Sequence, residues 1–343
     1  MQAAIFDPIV GLKVGRVERP LPLPGEVLIK VEACGVCGSD KQILAGAPAP
    51  VGTQFPVILG HEISGRIVEL GDSVADWSVG DPVIVHPFLA CGKCRFCLRG
   101  NENLCNSQRV IGYHRSGGFA QYVTVPVQAL VRRPDSMTAE TSALLVDAFA
   151  TPFHALVQVA KCTSKDRLLI LGSGGLGMAA LMIAKALPVQ EVAVVVRREE
   201  AGEACRLLGA DKVWMTSGND RDMARDIRRW SRGGADIVLD TLGTADSVER
   251  GMEFLAPGGR MSIVGMTPDM PVMPPITHWV RRGMQISGSY GSTIEDVRTL
   301  VTWVNEKRLI PDVLISKVLP LTEIAKAFVL KSAPGRMVIR PAE

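Results

Sequence analysis

Short runs of alternating apolar and polar residues characterise the chain up to about residue 147. Runs at 27–31, 65–70 and 82–85 each adjoin glycine, proline or aspartate. Alternation with a period of two, interrupted by such turn-forming residues, is typical of short β-strands. The pattern therefore predicts a small, irregular β barrel that carries long loops.

The pattern changes after about residue 149, where apolar strands begin to alternate with helical segments. Candidate strands are 168–171, 192–196, 213–215, 237–239 and 261–264, and candidate helices lie near 175–187, 199–208, 220–231 and 245–255. Alternation of this kind is typical of a doubly wound parallel sheet. A further helix at 294–307 and a strand at 337–339 follow. We therefore predict an α/β chain with a β-rich domain and a doubly wound domain.

The chain has 343 residues, of which 47% are hydrophobic and 21% charged, and its formal net charge is +3. This length suits two domains, and this charge gives no electrostatic case for a nucleic-acid or acidic membrane partner. The start lacks a basic segment followed by an apolar one, and no run of about 18 apolar residues occurs, so we expect neither a signal peptide nor a membrane span. Eight cysteines without an export signal favour a reducing, cytoplasmic setting.

Four cysteines fall close together in a loop that contains glycine and asparagine: Cys91, Cys94, Cys97 and Cys105. Thiolates at this spacing can close a tetrahedron around zinc, so the pattern predicts a structural zinc site. A redox or disulfide cluster is the alternative. A DNA-reading zinc finger is disfavoured because the flanks lack a basic recognition helix. We expect the loop to stabilise the fold, and the chemistry to lie elsewhere.

A glycine-rich turn, Gly172-Ser173-Gly174-Gly175-Leu176-Gly177, connects the predicted strand 168–171 to a helical segment. In this context the Gly-x-Gly-x-x-Gly spacing is typical of a dinucleotide site. The first glycine permits the tight turn, the second admits the pyrophosphate to the backbone, and the third lets helix and strand pack closely. The helix N-terminus adds N–H donors and a partial positive charge. The alternative is a glycine-rich turn without a ligand.

The next strand ends at Val196 and is followed by Arg197 and Arg198. An NAD-selective site would place an acidic residue here to accept hydrogen bonds from the adenosine ribose. Guanidinium groups instead suit bidentate recognition of a phosphate. We therefore predict that NADP is preferred and that both arginines hold its 2′-phosphate. The alternative is that both arginines face solvent and the cofactor is NAD.

Three further motifs are Cys37-Gly-Ser39-Asp40, Gly60-His61-Glu62 and the segment 147–154, which begins with Asp147. In this order, and together with the cysteine loop and the glycine turn, they make the chain resemble the zinc-dependent medium-chain alcohol dehydrogenases over essentially its whole length. The resemblance implies a GroES-like catalytic domain at 1–148, to which 290–343 returns, and a Rossmann domain at 149–289. It also implies an active site in the cleft between the two domains.

The same resemblance implies a second, catalytic zinc held by Cys37, His61 and Asp147, with Glu62 as a carboxylate able to approach the metal. Three protein ligands leave the fourth position open for water or substrate. Asp147 matches the bacterial and archaeal branch that has aspartate where other branches have cysteine. Cys34 competes with Cys37 on spacing alone, but the Gly-Ser-Asp that follows Cys37 favours the latter.

Ser39 is the implied first stop for the proton of the substrate hydroxyl, because a serine hydroxyl can donate and accept at once. Asp40 is expected to orient His61. Many relatives have histidine at the position of Gln42, and an amide cannot exchange a proton near neutral pH. The proton would then leave through water or another histidine.

Further cofactor contacts follow from the resemblance: Thr151, Val264, Ser289, Tyr290 and, on the pyrophosphate, Arg336. The histidines outside the proposed ligand set are expected to be core or pocket residues; they are His86, His114, His154 and His278. Loop residues near Phe55, 86–88 and Tyr113 are expected around the substrate, whose identity the sequence leaves open.

The predicted function is reversible hydride transfer between NAD(P) and a primary or secondary alcohol or its carbonyl compound, with two zinc ions per chain. Zinc would act as a Lewis acid on the substrate oxygen. The nearest alternative is a polyol or amino-alcohol dehydrogenase of the sorbitol or threonine type that uses NAD. A zinc-free enoyl or quinone reductase and a non-enzymatic binding protein are disfavoured by the intact ligand set. The resemblance implies a homotetramer or a dimer.

Overall fold

The protein is described by a computed structural model that covers residues 1–216, 220–329 and 334–341. The chain divides into two compact units, of which the first is Met1–Ala150 with Ser292–Glu343 and the second is Thr151–Gly291. Each boundary between the two units lies two residues later than the sequence predicted. The boundaries are at 150/151 rather than 148/149 and at 291/292 rather than 289/290.

The strands of the described residues are β1 (Gln2–Asp7), β2 (Gly11–Arg16), β3 (Glu26–Gly35), β4 (Val57–Ile58), β5 (Glu62–Leu70), β6 (Pro82–Val85), β7 (Phe88–Leu89), β8 (Arg109–Val110), β9 (Tyr122–Pro126), β10 (Leu130–Arg132), β11 (Arg167–Leu171), β12 (Glu191–Val196), β13 (Lys212–Met215), β14 (Ala235–Asp240), β15 (Leu255–Ile263), β16 (Gln285–Gly288), β17 (Ile315–Pro320) and β18 (Arg336–Arg340). The helices are α1 (Gly38–Leu44), α2 (Ala139–Leu144), α3 (Ala150–Phe153), α4 (Gly175–Ala186), α5 (Glu199–Leu207), α6 (Asp220–Trp230), α7 (Ala245–Phe254), α8 (Ile276–Arg282), α9 (Ile294–Asn305) and α10 (Ile324–Val329).

The first unit is built on a seven-stranded sheet in the order β10-β6-β5-β3-β18-β17, with β9 paired to β3. Strand β3 is its centre, because it pairs antiparallel with β5, β9 and β18. A three-stranded sheet, β2-β1-β4, and a two-stranded sheet, β7-β8, complete the unit. Strand β18 comes from the C-terminal segment, so residues far apart in sequence meet at the end of β3.

The second unit contains one six-stranded sheet in the order β13-β12-β11-β14-β15-β16. Its neighbouring strands all pair in parallel. All five residues of β11 are buried, as expected for a central parallel strand that is covered on both faces. The order runs outward from β11 in both directions, which is the doubly wound arrangement predicted from the sequence.

Several helices begin at side chains that cap their free N–H groups. Thr244 accepts from the Ser247 N–H at the start of α7, and Thr293 accepts from the Asp296 N–H at the start of α9. Helix α4 instead begins at Gly174, with no side-chain cap, directly after β11. Its first N–H groups are therefore available to a ligand.

One apolar helix spans Ala139–Val159, because π-helical turns join α2 and α3. By length and composition it could cross a membrane, with a mean hydropathy of 1.3. In the structure, however, 78% of that stretch is buried inside the fold. Burial of this extent is typical of a core helix, so the segment gives no support for a membrane span.

Candidate active site and metal centres

The four cysteines of the loop lie together, with their sulfur atoms all within 4.8 Å of one another. The Sγ atoms of Cys94 and Cys97 are 3.5 Å apart, and those of Cys94 and Cys105 are 3.9 Å apart. A tetrahedral zinc with Zn–S bonds of about 2.3 Å implies S···S separations of about 3.8 Å. The observed spacing therefore fits a zinc ion.

Backbone N–H groups also stabilise the thiolate form of the cysteines in this loop. The Cys91 N–H donates to Cys105 Sγ at 3.3 Å, and the backbone N–H of Cys97 lowers the pKa of the Cys94 thiol to about 6. All eight cysteines lie in the described part of the chain, and none of them forms a disulfide there. The structure therefore does not support a disulfide in this loop.

A second cluster collects the other predicted ligands, Cys37, His61, Glu62 and Asp147, whose donor atoms also lie within 4.8 Å of one another. Cys37 Sγ is 3.3 Å from Asp147 Oδ2, and His61 Nε2 is 3.8 Å from the same oxygen. Ligand bonds of about 2.0–2.3 Å in a tetrahedron place such atoms about 3.3–3.8 Å apart. A thiolate, an imidazole and a carboxylate at these distances fit a zinc ion with an open position.

Local backbone geometry explains how these side chains reach one place. Cys37 precedes α1, and the Cys37 N–H donates to Asp40 Oδ2 at 3.0 Å in the first turn of that helix. His61 follows Gly60, which has a φ of +90°. A Cβ at Gly60 would lie 2.8 Å from both Cys34 Sγ and a ring atom of Phe119. Only glycine fits this turn, and the turn aims His61 at the cluster.

Glu62 is the first residue of β5 and is fully buried. A Cβ at Gly35 would collide with Glu62 Oε2, so the glycine at the end of β3 makes room for the carboxylate. Arg336 faces it from β18, with Nη2 2.7 Å from Glu62 Oε1 and 3.4 Å from Asp147 Oδ2. No pattern in the sequence indicates this pairing, because it depends on β18 lying beside β3.

The sequence predicted that Arg336 contacts the cofactor pyrophosphate. The structure instead places its guanidinium against two carboxylates of the cluster. Its side chain is only 6% exposed, and its guanidinium lies against Glu62 and Asp147. A buried guanidinium needs carboxylate partners to offset its lost hydration. Its partners in the first unit are therefore the carboxylates of Glu62 and Asp147.

Burial dominates the electrostatics of the cluster. It raises the pKa of Glu62 to about 8, although the Arg336 guanidinium opposes the shift. Burial also raises the pKa of Asp40 and of the Cys37 thiol. Burial alone would lower the pKa of His61, but Tyr113 and Asp40 outweigh it and the net shift is upward. Such a concentration of buried acidic groups favours a bound cation.

Asp40 contacts the cluster and Ser39 is close to it in sequence, while the roles proposed for both stay predictions. Asp40 Oδ1 is 3.7 Å from His61 Nδ1, the nitrogen that faces away from Asp147. Ser39 Oγ accepts a hydrogen bond of 2.8 Å from the Tyr113 hydroxyl. Gln42, on the same helix, is exposed. Tyr113 was expected only somewhere near the substrate, and its contact with Ser39 could not be predicted.

The histidines outside the cluster have different environments. His114 Nδ1 accepts from the Val110 N–H at 2.9 Å, and His154 is buried. His278 is exposed on α8, so it is not a core residue. Among the described residues none of these belongs to a group that could hold a metal.

His86 is expected to make the protein sensitive to acid. It is buried, its Nε2 is 3.1 Å from the Ser292 carbonyl oxygen, and burial lowers its pKa to about 4. The unfolded chain, with a histidine pKa of about 6.5, then binds the proton first as the pH falls. The free energy of unfolding should fall by about 3 kcal/mol between pH 6.5 and 4 from this group alone.

Urea unfolding of the wild type and of His86→Gln at pH 7.5, 6 and 5 measures this contribution. The variant should lose less stability on acidification than the wild type, although it starts less stable. Equal acid sensitivity of the two proteins would contradict the assignment.

The glycine turn of the second unit has the three properties expected of a dinucleotide site. Gly172 has a φ of +102°. A Cβ at Gly177 would collide with the Gly172 carbonyl, whereas a Cβ at Gly174 would meet nothing within 4 Å. The first and third glycines are thus required for the turn and for close packing, and the second leaves open backbone beside the start of α4. These residues fit a nicotinamide cofactor.

Other predicted cofactor residues lie at the same edge of the sheet, since parallel strands share their carboxyl ends. Arg197 follows β12, Val264 follows β15, and Ser289 follows β16. The Val264 N–H donates to the Asp240 carbonyl oxygen at 2.9 Å, and Ser289 Oγ is buried without a hydrogen-bond partner among the described residues. Tyr290 follows Ser289, whereas Thr151 is buried in the long helix and its cofactor contact stays a prediction.

Two family models match the chain, the alcohol dehydrogenase GroES-like domain over residues 23–135 and the zinc-binding dehydrogenase over residues 175–306. An NAD-dependent alcohol dehydrogenase of Sulfurisphaera tokodaii is 37% identical over 262 residues, 74% of this chain and 75% of that protein. An alcohol dehydrogenase of Geobacillus stearothermophilus is 31% identical over the full length of both chains. The L-threonine 3-dehydrogenase of Caldanaerobacter subterraneus subsp. tengcongensis is 32% identical, covering 96% of each.

Solved structures agree with these relatives. A thermostable alcohol dehydrogenase of Pyrobaculum aerophilum, with cobalt and zinc bound, superposes with a TM-score of 0.87 at 29% identity over 99% of each chain. A protein of Sinorhizobium meliloti, described as a zinc-binding dehydrogenase and bound to NADP, gives a TM-score of 0.90 at 27% identity over 99% of each chain.

The chain therefore belongs to the zinc-dependent medium-chain alcohol dehydrogenase family. It is an oxidoreductase of the zinc-binding alcohol dehydrogenase type, which uses a nicotinamide cofactor. The predicted fold, a GroES-like domain and a Rossmann-type parallel sheet, is confirmed.

Proposed function

We propose that the protein interconverts a primary or secondary alcohol and its carbonyl compound, with NADP as the preferred cofactor and two zinc ions per chain. The cluster of Cys37, His61, Glu62 and Asp147 carries this proposal. It combines a soft thiolate, an imidazole and hard carboxylates in a buried place, as a catalytic zinc requires. The four-cysteine loop would hold the second, structural zinc.

In this proposal Cys37, His61 and Asp147 are the zinc ligands. The separations of 3.3 and 3.8 Å from Asp147 Oδ2 to Cys37 Sγ and His61 Nε2 support the aspartate as the third ligand. When bound, zinc supplies a Lewis acid that polarises the substrate oxygen. Asp40 orients His61 through Nδ1. Arg336 holds Glu62 beside the ligands, close enough to approach the metal.

Ser39 is proposed to exchange the proton of the substrate hydroxyl. It stands two residues after the ligand Cys37, in the first turn of α1. A serine hydroxyl can accept this proton while it donates its own. The hydride is exchanged with the nicotinamide, which Gly172 to Gly177 and the neighbouring strand ends of the second unit would hold.

The preference for NADP rests on Arg197 and Arg198, which are exposed directly after β12. Neither forms an ion pair in the described part of the chain, whereas Arg206 on the following helix pairs with Glu199 and Glu203 at 3.0 Å. Two unpaired guanidinium groups at the carboxyl end of this strand suit a 2′-phosphate. The relative from S. tokodaii is NAD-dependent, so this chain would differ from it in its choice of cofactor.

Steady-state kinetics with NADPH and NADH tests the cofactor. The wild type should favour NADPH, and Arg197→Gln with Arg198→Gln should lower kcat/KM for NADPH by about 10- to 100-fold per arginine, as for lost hydrogen bonds to a charged group. The values for NADH should change less than about two-fold, since NADH has no 2′-phosphate.

Arg206→Gln is the matched control, because it removes a guanidinium from α5 that is already paired with glutamates. It should leave the preference unchanged. A wild type that favours NADH would overturn the NADP assignment and leave the zinc chemistry intact.

The second candidate function is oxidation of an amino alcohol or polyol with the same zinc chemistry. This candidate is supported by one relative, an L-threonine 3-dehydrogenase that is 32% identical to this chain. A panel of simple alcohols, ketones, L-threonine and sorbitol, followed by cofactor absorbance, separates the two. Selective turnover of threonine or sorbitol would replace the alcohol assignment.

Assembly and location complete the proposal. Strand β16 is the edge of the six-stranded sheet, and three of its four residues are exposed, namely Gln285, Ser287 and Gly288. An open edge of this kind can pair with a second copy, which supports a dimer or a homotetramer, measurable by light scattering.

The free state of all eight cysteines supports a reducing, cytoplasmic setting.

A further inference from the structure

We propose that Tyr113 is a positioning residue for Ser39, whose hydroxyl it holds so that the serine proton is directed toward the substrate. This inference rests on the proposed role of Ser39 as the group that exchanges the substrate proton. It concerns a contact within the first unit, between the loop that follows β8 and the first turn of α1.

The hydrogen bond between the two hydroxyls has a defined direction. Tyr113 donates to Ser39 Oγ at 2.8 Å, and this is the only hydrogen bond of Ser39 Oγ among the described residues. A hydroxyl has one hydrogen and two lone pairs. Because Ser39 uses one lone pair on Tyr113, it keeps its hydrogen and one lone pair for another partner. These are the two capacities that a group needs to pass a proton in either direction.

The loop that carries Tyr113 is fixed to the backbone that carries His61. The Gly117 N–H donates to the Ile58 carbonyl and the Gly118 N–H to the Gly60 carbonyl, both at 2.7 Å. A Cβ at Gly117 would collide with the Gly60 carbonyl oxygen. The two backbones therefore approach as closely as glycine allows, and Tyr113 has a fixed position relative to His61.

The ring of Tyr113 borders the metal cluster. It is 7% exposed, and its centroid is 5.4 Å from that of the His61 ring at an interplanar angle of 44°. The hydroxyl extends beyond this contact to Ser39. Gln42 is exposed on α1, and its side chain forms no hydrogen bond with this pair among the described residues. The orientation of Ser39 thus depends on Tyr113.

A double-mutant cycle with Tyr113→Phe and Ser39→Ala tests the proposal, with the rate of hydride transfer measured in a single turnover so that product release does not mask it. Tyr113→Phe keeps the ring and removes only the donor. It should lower this rate about ten-fold, or about 1.4 kcal/mol in the barrier. In the Ser39→Ala background the same change should have less than about a two-fold effect.

Four further tests separate positioning from structural or pocket effects. Zinc content should stay at two per chain in Tyr113→Phe, and the KM for the alcohol should change less than about three-fold, since only the step after binding is affected. Tyr122→Phe, in β9 and in contact with Arg19, is the matched control and should behave as the wild type. Ser39→Thr should restore both the rate and its dependence on Tyr113.

An equal loss for Tyr113→Phe in the wild-type and Ser39→Ala backgrounds would overturn the proposal, as would a wild-type rate for Tyr113→Phe while Ser39→Ala is impaired. A wild-type rate for Ser39→Ala would instead contradict the proposed role of Ser39 itself. The two failures are therefore distinguishable.

Discussion

Replacing Asp147 with alanine is expected to remove one of two zinc ions per chain and to lower kcat/KM by about 1,000-fold or more, or about 4 kcal/mol in the barrier. Asp147 Oδ2 is the atom that lies near both Cys37 Sγ and His61 Nε2, so the substitution removes the proposed third ligand. Loss of the metal removes the polarisation of the substrate oxygen, which is worth several kcal/mol. Zinc analysis and steady-state kinetics on the same preparation measure both effects.

Asp147→Cys is the matched control, because a thiolate can take the same place among the ligands. It should keep two zinc ions and a measurable fraction of the activity. Unchanged activity of Asp147→Ala with a single zinc per chain would contradict both the ligand assignment and the catalytic role of the metal.

Replacing Cys94 with serine is expected to remove the other zinc and to destabilise the first unit. Cys94 Sγ lies 3.5 and 3.9 Å from two of the other sulfur atoms, and a loop with so little apolar burial depends on its metal for order. A loss of about 4 kcal/mol corresponds to a fall in Tm of about 10 °C for a unit of about 200 residues, which is the size of the first unit. Zinc content and thermal unfolding check the prediction.

Cys162→Ser provides the same chemical change outside both clusters. It should keep two zinc ions and change Tm only slightly. If Cys94→Ser also kept two zinc ions, the loop would not be a metal site. Because Asp147→Ala and Cys94→Ser each address one cluster, together they show whether the two metals are bound independently.

The second unit was predictable from sequence because its patterns are local. The strand predicted at 168–171 is β11 at Arg167–Leu171, and the helix predicted at 175–187 is α4 at Gly175–Ala186. Apolar runs and a glycine turn suffice to locate such elements. Helix α8 was missed, since Ile276–Arg282 has no clear periodicity.

In the cluster around His61, only the residues that belong to short sequence motifs could be predicted. Cys37, His61 and Glu62 lie in short motifs, so their positions can be found without the fold. Arg336 and Tyr113 reach the same place through pairing of β18 with β3 and through glycine contacts of a loop. Contacts of this kind depend on register and close backbone approach, for which a single sequence has no local pattern.

The pairing of β18 with β3 also determines when, during synthesis, the first unit can complete its fold. Val338 pairs with Gly35 and Ile339 with Cys34, so the sheet around β3 lacks one of its strands until β18 has been synthesised. Until Arg336 leaves the ribosome, Glu62 has no guanidinium opposite it, and the cluster of Cys37, His61, Glu62 and Asp147 lacks this partner. A chain that stops before β18 should therefore leave the first unit unfinished, however complete the second unit is.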